Sequence, residues 1–574
     1  MALRNHRLAA LVERINHADE SGMVTHRRHW GGSVGTARTL LRRCIPIGFF
    51  VFMAVVHSWP LASDPVHLSR LDNHDAELLT WTIAWVAHIL PREPLSLFEA
   101  PILHPEQHTL AFSEHMFVPS VMGAPLLWWG ASPVLVYNLL IIAGLALSGW
   151  AMYLLMARWT GSVAAGVIAG LLYAFNAHVL TRFVHLQAQH VEFFPLMLYA
   201  LDRVIADPPT SLRASAGWRH AVLLAAAFVL QSLCSNYLLV FATYALLVSI
   251  AVRWNELSRP TWILLCAAGV LSIAAMFPFL WPYYQVDQAH GLARDVSVVT
   301  QYNAGWRDYL VTGGRLHFAW WSHVFYEGRT ALFPGVTAIV LAAIAVVTGR
   351  AIREPRARMA LAIGVLGVAL SLGTSLPGYA VLHHALPLVS GLRNVARWGW
   401  LALAAFAMLA GFGVAALEKL APRRRWIALA IGALVTIEAI RTPVGFTRFE
   451  GIPPFYDRLA AERTLILAEF PFYSGASVSL NGPYVLANTR YFRPLMNGYS
   501  SFHPESFEAR GRALNSFPSQ AALAELKVAK VTHVTVHANQ FALRYGDAPL
   551  KALDTISDLA LVAEENGIRL YRLK

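Results

Sequence analysis

Charge is scarce in this chain. Only 14% of its 574 residues are charged while 56% are hydrophobic, for a mean hydropathy of +0.46. A soluble globular domain carries roughly 25% charge, so the composition excludes that class and points to a multi-pass membrane protein. Cysteine is scarcer still. The three present, Cys44, Cys234 and Cys266, fall in hydrophobic runs, which leaves the polar loops without a disulfide framework or a cysteine metal site. Walker A, Rossmann-glycine, HExxH and GxSxG patterns are also missing, so nucleotide-driven transport and serine or zinc hydrolysis have no support. The formal net charge of +12 does not imply a nucleic-acid partner, because the arginines cluster in short connections between apolar runs.

A helix crossing the hydrocarbon core needs about 20 apolar residues. Eleven segments are candidates: 41–59, 133–156, 162–181, 186–205, 219–234, 237–253, 260–282, 331–349, 359–376, 397–418 and 425–443. Ser235 and Asn236 alone separate the fifth from the sixth, a tight helical hairpin. Alternate connections are basic: Arg158; Arg203, Arg213 and Arg219; Arg253 and Arg259; Arg350, Arg353, Arg356 and Arg358; Lys419 with Arg423, Arg424 and Arg425. The positive-inside bias places these, and the N-terminus, in the cytoplasm, and puts loops 60–132 and 283–330 and the C-terminal region outside. Residues 1–43 carry eight arginines and are expected to be a cytoplasmic tail, with an amphipathic helix near Leu8–Ile15. Residues 44–444 form the expected transmembrane domain. Periodicity then changes. LILAEF (465–470), VTHVTVH (531–537), LALVAEE (559–565) and IRLYRL (568–573) read as strands, and 505–516 and 519–529 as helices. Residues 445–574 are therefore expected to be a small extracytoplasmic α/β domain.

The first outer loop is acidic. Between Trp59 and Ala131 lie Asp64, Asp72, Asp75, Glu77, Glu93, Glu99, Glu106 and Glu114, against Arg70 and Arg92. Its apolar stretches, Leu78–Leu90 and Met116–Trp129, are too short to span; they are expected to lie at the membrane interface, anchored by Trp81, Trp85, Trp128 and Trp129. In HDAELLTW (74–81), Asp75 and Glu77 open a helix. Acids there serve as caps and dipole partners, a purely structural use. A carboxylate just above the bilayer is equally placed to activate a hydroxyl as a base, and the helix terminus keeps Asp75 ionised. In FSEHMF (112–117), Glu114 is either a helix-start acid or, with His115, part of an acid–base pair or a metal site.

Arg182, His185, Gln189 and Glu192 follow at spacings of 3, 4 and 3, so they share one face of a helix running into the membrane. Such groups usually line a cavity or pathway, although a structural network is the other use. In SGLRNVARW (390–398), Arg393 and Arg397 stand one helical turn apart on the outer side, against the topological bias. Paired guanidinium groups suit a phosphate, which each can bind bidentately, or snorkel to lipid headgroups. Glu327, one of few acids in the aromatic loop, either completes a site or pairs with Arg329. YFRPLMNGYSSFHPESF (491–507), with Arg493 and Asn497, is a Gly/Pro-punctuated aromatic loop fit to bind sugar rings or to close over the membrane part.

In order, HDAELLTWTIAW (74–85), FSEHMF with APLLWW (124–129), HLQAQHVEFFPL (185–196), ALFPG (331–335), LRNVARW (392–398) and RPLMNGYSSFHPESF (493–507) resemble the GT-C superfamily of integral-membrane glycosyltransferases, within it a bacterial group. The fold expected from the eleven candidate spans, a polytopic α-helical membrane protein with about 11 transmembrane helices, is GT-C-like. The resemblance implies a polyprenyl-phosphate-sugar donor and a catalytic acid in the first outer loop. By its position six residues before Trp81, Asp75 matches that acid, with Asp72 the nearest competitor. The family pattern often reads Gly-Asp-Pro where this chain has His74-Asp75-Ala76. No organic cofactor is expected; some members use a divalent metal such as Mg or Mn and others do not. The expected function is an inverting transfer to an acceptor hydroxyl on a glycan, lipid or protein at the outer face of a bacterial inner membrane. Asp75 would be the base and Arg393 and Arg397 the phosphate clamp; Glu77, Glu114, His115, His185, Gln189, Glu192 and Glu327 would line the substrate site. A transporter or flippase of a lipid-linked saccharide, which calls for paired broken helices, and a non-catalytic envelope assembly protein are the alternatives.

Overall fold

The computed structural model describes residues 32–207, 215–291, 296–386, 388–420 and 426–574. The expected amphipathic helix near Leu8–Ile15 lies outside the described residues, as do Arg213 and Arg423–Arg425. Two compact units divide the chain, Met1–Pro46 and Ile47–Lys574, and the second contains the helices and sheet that build the site.

Helix α1 (Gly32–Ser58) is followed by two helices in the acidic loop, α2 (His74–Ile89) and α3 (Phe117–Trp128). Then come α4 (Pro133–Thr160), α5 (Val163–Ala174), α6 (Phe193–Ala206), α7 (Ser215–Ser232), α8 (Asn236–Val252) and α9 (Arg259–His290). After the aromatic loop run α10 (Val336–Val347), α11 (Pro355–Ser371), α12 (Gly399–Leu420) and α13 (Trp426–Ala439). Their starts follow local chemistry. Ser132 Oγ accepts from the Leu135 amide at 3.2 Å, Pro133 fills the first turn of α4, and Gly161, with φ of +71°, ends it. Ser162, Ser235 and Ser258 cap α5, α8 and α9 in the same way.

Among the described residues, four helices are long and apolar enough to cross a membrane: Pro133–Thr160, Val163–Thr181, Arg259–His290 and Val395–Leu420. The other candidate segments form shorter, less apolar or broken helices, so the expected count of about eleven crossings is supported for four. The fourth candidate, 186–205, is not one helix. After α5 the chain makes two short helices, Ala177–Thr181 and Leu186–Gln189, before α6 begins at Phe193. Arg182, His185, Gln189 and Glu192 therefore do not share a helical face. The Gln189 side-chain amide instead donates to the Arg182 and Val179 carbonyls at 2.9 and 3.3 Å, satisfying backbone groups that the break exposes.

At the basic end of the helices, Arg253 is buried against Asp202 at 2.7 Å and Glu256 at 2.6 Å, and Arg356 reaches Asp202 at 2.9 Å. The C-terminal portion forms a four-stranded sheet. A two-stranded ribbon precedes it, pairing β1 (Leu68–Ser69) antiparallel with β2 (Thr447–Arg448). The sheet strands are β3 (Leu467–Phe470), β4 (His533–His537), β5 (Leu559–Glu565) and β6 (Ile568–Leu573), in the order β3-β4-β6-β5. β3 and β4 run parallel with Leu467 opposite His533; the other neighbours are antiparallel. Helices α15 (Glu505–Leu514) and α16 (Gln520–Val528) pack beside it; a short α14 (Gly482–Ala487) precedes them. Each of the four strands and both long helices falls where its pattern placed it.

Helix α2 is buried on two sides. Ala76, Leu79 and Ile83 pack into the core of the membrane helices. Leu78, Trp81, Trp85 and Ile89 pack into a second core shared with Leu467, Phe470, Val534 and Tyr571 of the sheet. Trp81 donates to Asn488 Oδ1 at 3.2 Å and Trp85 to the Leu97 carbonyl at 2.9 Å. These two tryptophans are thus joints to the C-terminal portion and not interface anchors. Full burial of such side chains stabilises by about 1.5–3 kcal/mol each. Trp128 and Trp129 are exposed, as anchors would be.

Candidate functional site

Asn73 caps α2: its Oδ1 accepts from the Asp75 amide at 2.9 Å. The Asp75 carboxylate is therefore released from the capping role and points elsewhere. Its Oδ1 accepts from the Tyr499 hydroxyl at 2.5 Å, and its Oδ2 stands 3.4 Å from His185 Nε2. Burial alone would raise its pKa, but the bonds from His185 and Tyr499 and the nearby Arg397 charge overcome that and hold it at about 2. Asp75 is ionised across the physiological range. Tyr499 is pushed above the ordinary phenol range by burial and by Asp75, so it keeps its proton and donates it. Burial lowers the pKa of His185 too, against the pull of Asp75, and Arg397 and Arg182 add to the lowering.

Next to this group is a small cavity of about 40 Å3 that opens to the outside. His178, Arg182, His185 and Arg397 give it a basic side, and Tyr237, Phe241 and Trp400 an aromatic wall; among the described lining residues there is no carboxylate. Half of the lining comes from the helix break at 175–192: His178, Arg182, His185, Gln187, Ala188 and Val191. Arg393 and Arg397 do not sit on one α-helix. Arg393 lies in the loop ahead of a 3₁₀ turn, Val395–Trp398, that leads into α12. Arg397 stacks over the Tyr237 ring, with Cζ 4.5 Å from its centroid, and Arg393 over Tyr302 at 5.3 Å. The Asn394 amide donates to the Tyr237 hydroxyl at 3.1 Å, tying this turn to α8. Arg397 lines the cavity; Arg393 is exposed, and its charge reaches Tyr499.

The remaining expected site residues divide by role. Glu114 does not cap its own helix: its Oε1 accepts from Ser235 Oγ and, at 3.5 Å, from the Tyr237 amide, so it fixes the start of α8 and with it Tyr237. His115 is buried among Phe98, Phe279 and Tyr283, and its Nδ1 accepts from the Phe117 amide at 3.1 Å, so it is away from the cavity. Glu192 is buried with His190 Nδ1 at 2.9 Å and Ser148 Oγ at 3.5 Å, and with Gln189 supports the break. Glu77 faces the opposite way from Asp75: it meets His74 Nδ1 at 2.8 Å and abuts Gly482 at the start of α14. Burial pushes its pKa up to about 7, with His74 opposing. Glu327 is exposed, and Arg329 pairs instead with Asp308 at 3.4 Å. Asp72 pairs with Arg70 at 3.0 Å, whereas Asp75 meets His185, which lines the cavity.

Tyr499, Tyr237 and His178 carry no motif of their own in the sequence; Tyr499 stands out only as part of the Gly-Tyr-Ser-Ser run at 498–501. The donor set does not suit a divalent cation. One carboxylate with both oxygens engaged, the two imidazoles of His178 and His185 and two guanidinium groups surround the place, and among the described residues no group of three His, Cys, Asp or Glu could hold a metal. What the arrangement suits is an anionic group beside Arg397 and Arg182, with a hydroxyl on Asp75.

No protein-family model matches the chain, and no curated protein matches its sequence. Solved structures do. The cryo-EM structure of the arabinofuranosyltransferase AftD from Mycobacteria aligns at a TM-score of 0.59 with 14% identity, over 92% of this chain and 39% of that one. A mutant of that enzyme aligns at 0.53 with 14% identity, over 92% and 41%. An oligosaccharyltransferase from Archaeoglobus fulgidus aligns at 0.47 with 12% identity, over 87% and 70%. The chain thus spans about two fifths of the AftD chain. The GT-C resemblance holds at the level of fold: this chain has the GT-C fold.

Proposed function

We propose that the protein is a membrane glycosyltransferase that moves a sugar from a polyprenyl-phosphate donor to an acceptor hydroxyl at the outer face of the bacterial inner membrane, with residues 445–574 on that outer side. The observation that carries this reading is the ionised Asp75 carboxylate, held by Tyr499 at 2.5 Å and His185 at 3.4 Å, beside a cavity that Arg397 and Arg182 make basic. The fold shared with an arabinofuranosyltransferase supports it.

In the reaction, the acceptor oxygen attacks the anomeric carbon from the side opposite the phosphate, and the bond from that carbon to the phosphate oxygen breaks. Negative charge grows on the departing phosphate, where Arg397, with Arg182 behind it and Arg393 outside, stabilises it. Asp75 is a weak base at a pKa of about 2. It orients the acceptor hydroxyl first and takes its proton late, when bond formation has made that proton strongly acidic. Tyr237, Phe241 and Trp400 form the apolar side of the cavity, against which the donor would lie. His185 holds the second oxygen of Asp75, and Glu114 acts at one remove by fixing Tyr237.

The test uses purified protein in liposomes with polyprenyl-phosphate sugars extracted from native membranes, followed by mass spectrometry. Donor loss with release of polyprenyl phosphate is expected, and Asp75→Asn is expected to express and fold but not to consume donor. Full activity in Asp75→Asn overturns the assignment. Donor that changes leaflet without being consumed makes the protein a flippase, and donor left unaffected makes it a non-catalytic assembly component.

A further inference from the structure

The hydroxyl of Tyr499 comes from far along the chain to reach Asp75, and the segment that carries it is built unevenly. Residues 498–504 have no regular secondary structure. Both ends are firm. On one side Asn497 is buried, its Oδ1 accepting from the Glu469 amide at 2.7 Å and its amide donating to the Glu469 carbonyl at 2.9 Å. Gly498 lies so close to Leu103 that any side chain there would collide with it. On the other side Ser506 donates to Glu106 at 2.6 Å, and Arg510 pairs with the same carboxylate. The middle has less backbone pairing. Ser500 is buried, its amide donating to His503 Nε2 at 3.1 Å, and Pro504 is buried; Ser501 is exposed, with its Oγ 2.9 Å from Ser113 Oγ, and Phe502 and His503 are half-buried, Phe502 edge-on to Phe112. A segment without helix or sheet pairing, set between fixed ends, opens at lower free energy than the elements that hold it.

A general base must stand within about 2.6–3.2 Å of the hydroxyl it acts on. Tyr499 has taken that position on Asp75 Oδ1, while His185 occupies Oδ2. Resting on the glycosyltransferase reading above, we infer that the Tyr499 hydroxyl marks the subsite of the acceptor's attacking hydroxyl, and that a sugar acceptor binds by displacing the strap 498–504 from Asp75. An alcohol is the class that fits, because an ionised carboxylate accepts from O–H and the phenol shows an O–H already bound there. The acceptor enters between the strap and Ser113, beside Phe502 and His503. When no acceptor is bound, Tyr499 keeps water off Asp75 and protects the donor from hydrolysis.

A double variant, Ser113→Cys with Ser501→Cys, tests this, since the two oxygens are close enough for the replacing thiols to form a disulfide. The probes are polyprenyl-phosphate sugars from native membranes as donor and the native envelope glycan fraction as acceptor, with cross-linking measured by mass spectrometry. Oxidation is expected to cut transfer by about tenfold or more, and reduction to restore it. Tyr499→Phe keeps the ring and removes the hydroxyl. It is expected to raise release of free sugar without acceptor by about threefold or more and to lower the acceptor KM. The inference is overturned if the cross-linked protein transfers as fast as the reduced one, or if the thiols do not cross-link. It is also overturned if Tyr499→Phe loses kcat with KM and hydrolysis unchanged, since that is the mark of a fixed positioning residue. Donor consumption by the reduced pair, abolished by Asp75→Asn, shows that the underlying reading stands when only the strap fails. A reduced pair that consumes no donor removes both.

Discussion

Two carboxylates two residues apart in the first turn of α2 live in opposite electrostatic worlds. Asp75 looks toward Tyr499, His185 and Arg397 and stays ionised down to a pKa of about 2. Glu77 looks toward His74 and Gly482, under the C-terminal portion, and burial lifts it to about 7. A helix turns roughly 100° per residue, so residues at i and i+2 point nearly apart. Both are carboxylates in the first turn of the same helix. What differs is the balance: the hydrogen bonds and positive charge around Asp75 outweigh its burial, whereas burial of Glu77 outweighs its one bond from His74, and that separates the acid beside the cavity from the acid in a seam.

The contrast breaks most sharply under paired amide substitutions. Asp75→Asn is expected to lower donor consumption by about 10³-fold or more, while Glu77→Gln leaves it within about threefold. Equal losses would show that both acids act in the site. The arginines separate next. Arg397→Ala, at the cavity, is expected to cost about 10²-fold in kcat, and the exposed Arg393→Ala about tenfold or less, read in the same assay. On the other face, Gly482→Ala drives a methyl group into the Glu77 carboxylate. It is expected to lower the melting temperature by several degrees, of the size that about 1–3 kcal/mol of overpacking produces, with donor consumption kept in the protein that folds.

The smallest effect is in pH. Glu77 has a folded pKa of about 7 against an ordinary value of 4.5, so the stability it contributes is full below about 4.5 and lost as pH rises through 7. Asp75, at about 2 against 3.8, contributes stability that is full above 3.8 and lost only as pH falls through about 2. Between pH 5 and 8 only Glu77 should matter of the two. A scanning-calorimetry comparison should show a melting temperature lower at pH 8 by about 1–3 °C, a difference that Glu77→Gln removes.

Much of this was legible in the residues, and the parts that were not share a cause. The strands at 467–470, 533–537, 559–565 and 568–573 were readable because β-branched and apolar residues are confined to short runs between turns. Asp75 was readable as an acid at a helix start, but Asn73, one turn-position earlier, does the capping, and only coordinates show that. Spacings at 182, 185, 189 and 192 imitate a helical face, yet Gln189 uses its amide to close a break. Periodicity cannot distinguish a side chain that faces a cavity from one that repairs the backbone. The partner of Asp75 is 424 residues away, and the tryptophans of α2 meet the sheet across a similar stretch of chain; no local pattern encodes either contact. Glu114 and Tyr237 met through a cap on a neighbouring helix, a link with no periodic signature.

Helix α2, apolar toward both cores, has a practical consequence for anyone recombining such chains. Cutting away everything after residue 445 would strip the cover from Leu78, Trp81 and Trp85, leaving a greasy ledge that invites aggregation. The sheet is therefore no detachable accessory. A hybrid that borrows it from another chain must bring along its own version of α2, and with that helix comes the donor's copy of the acid at position 75.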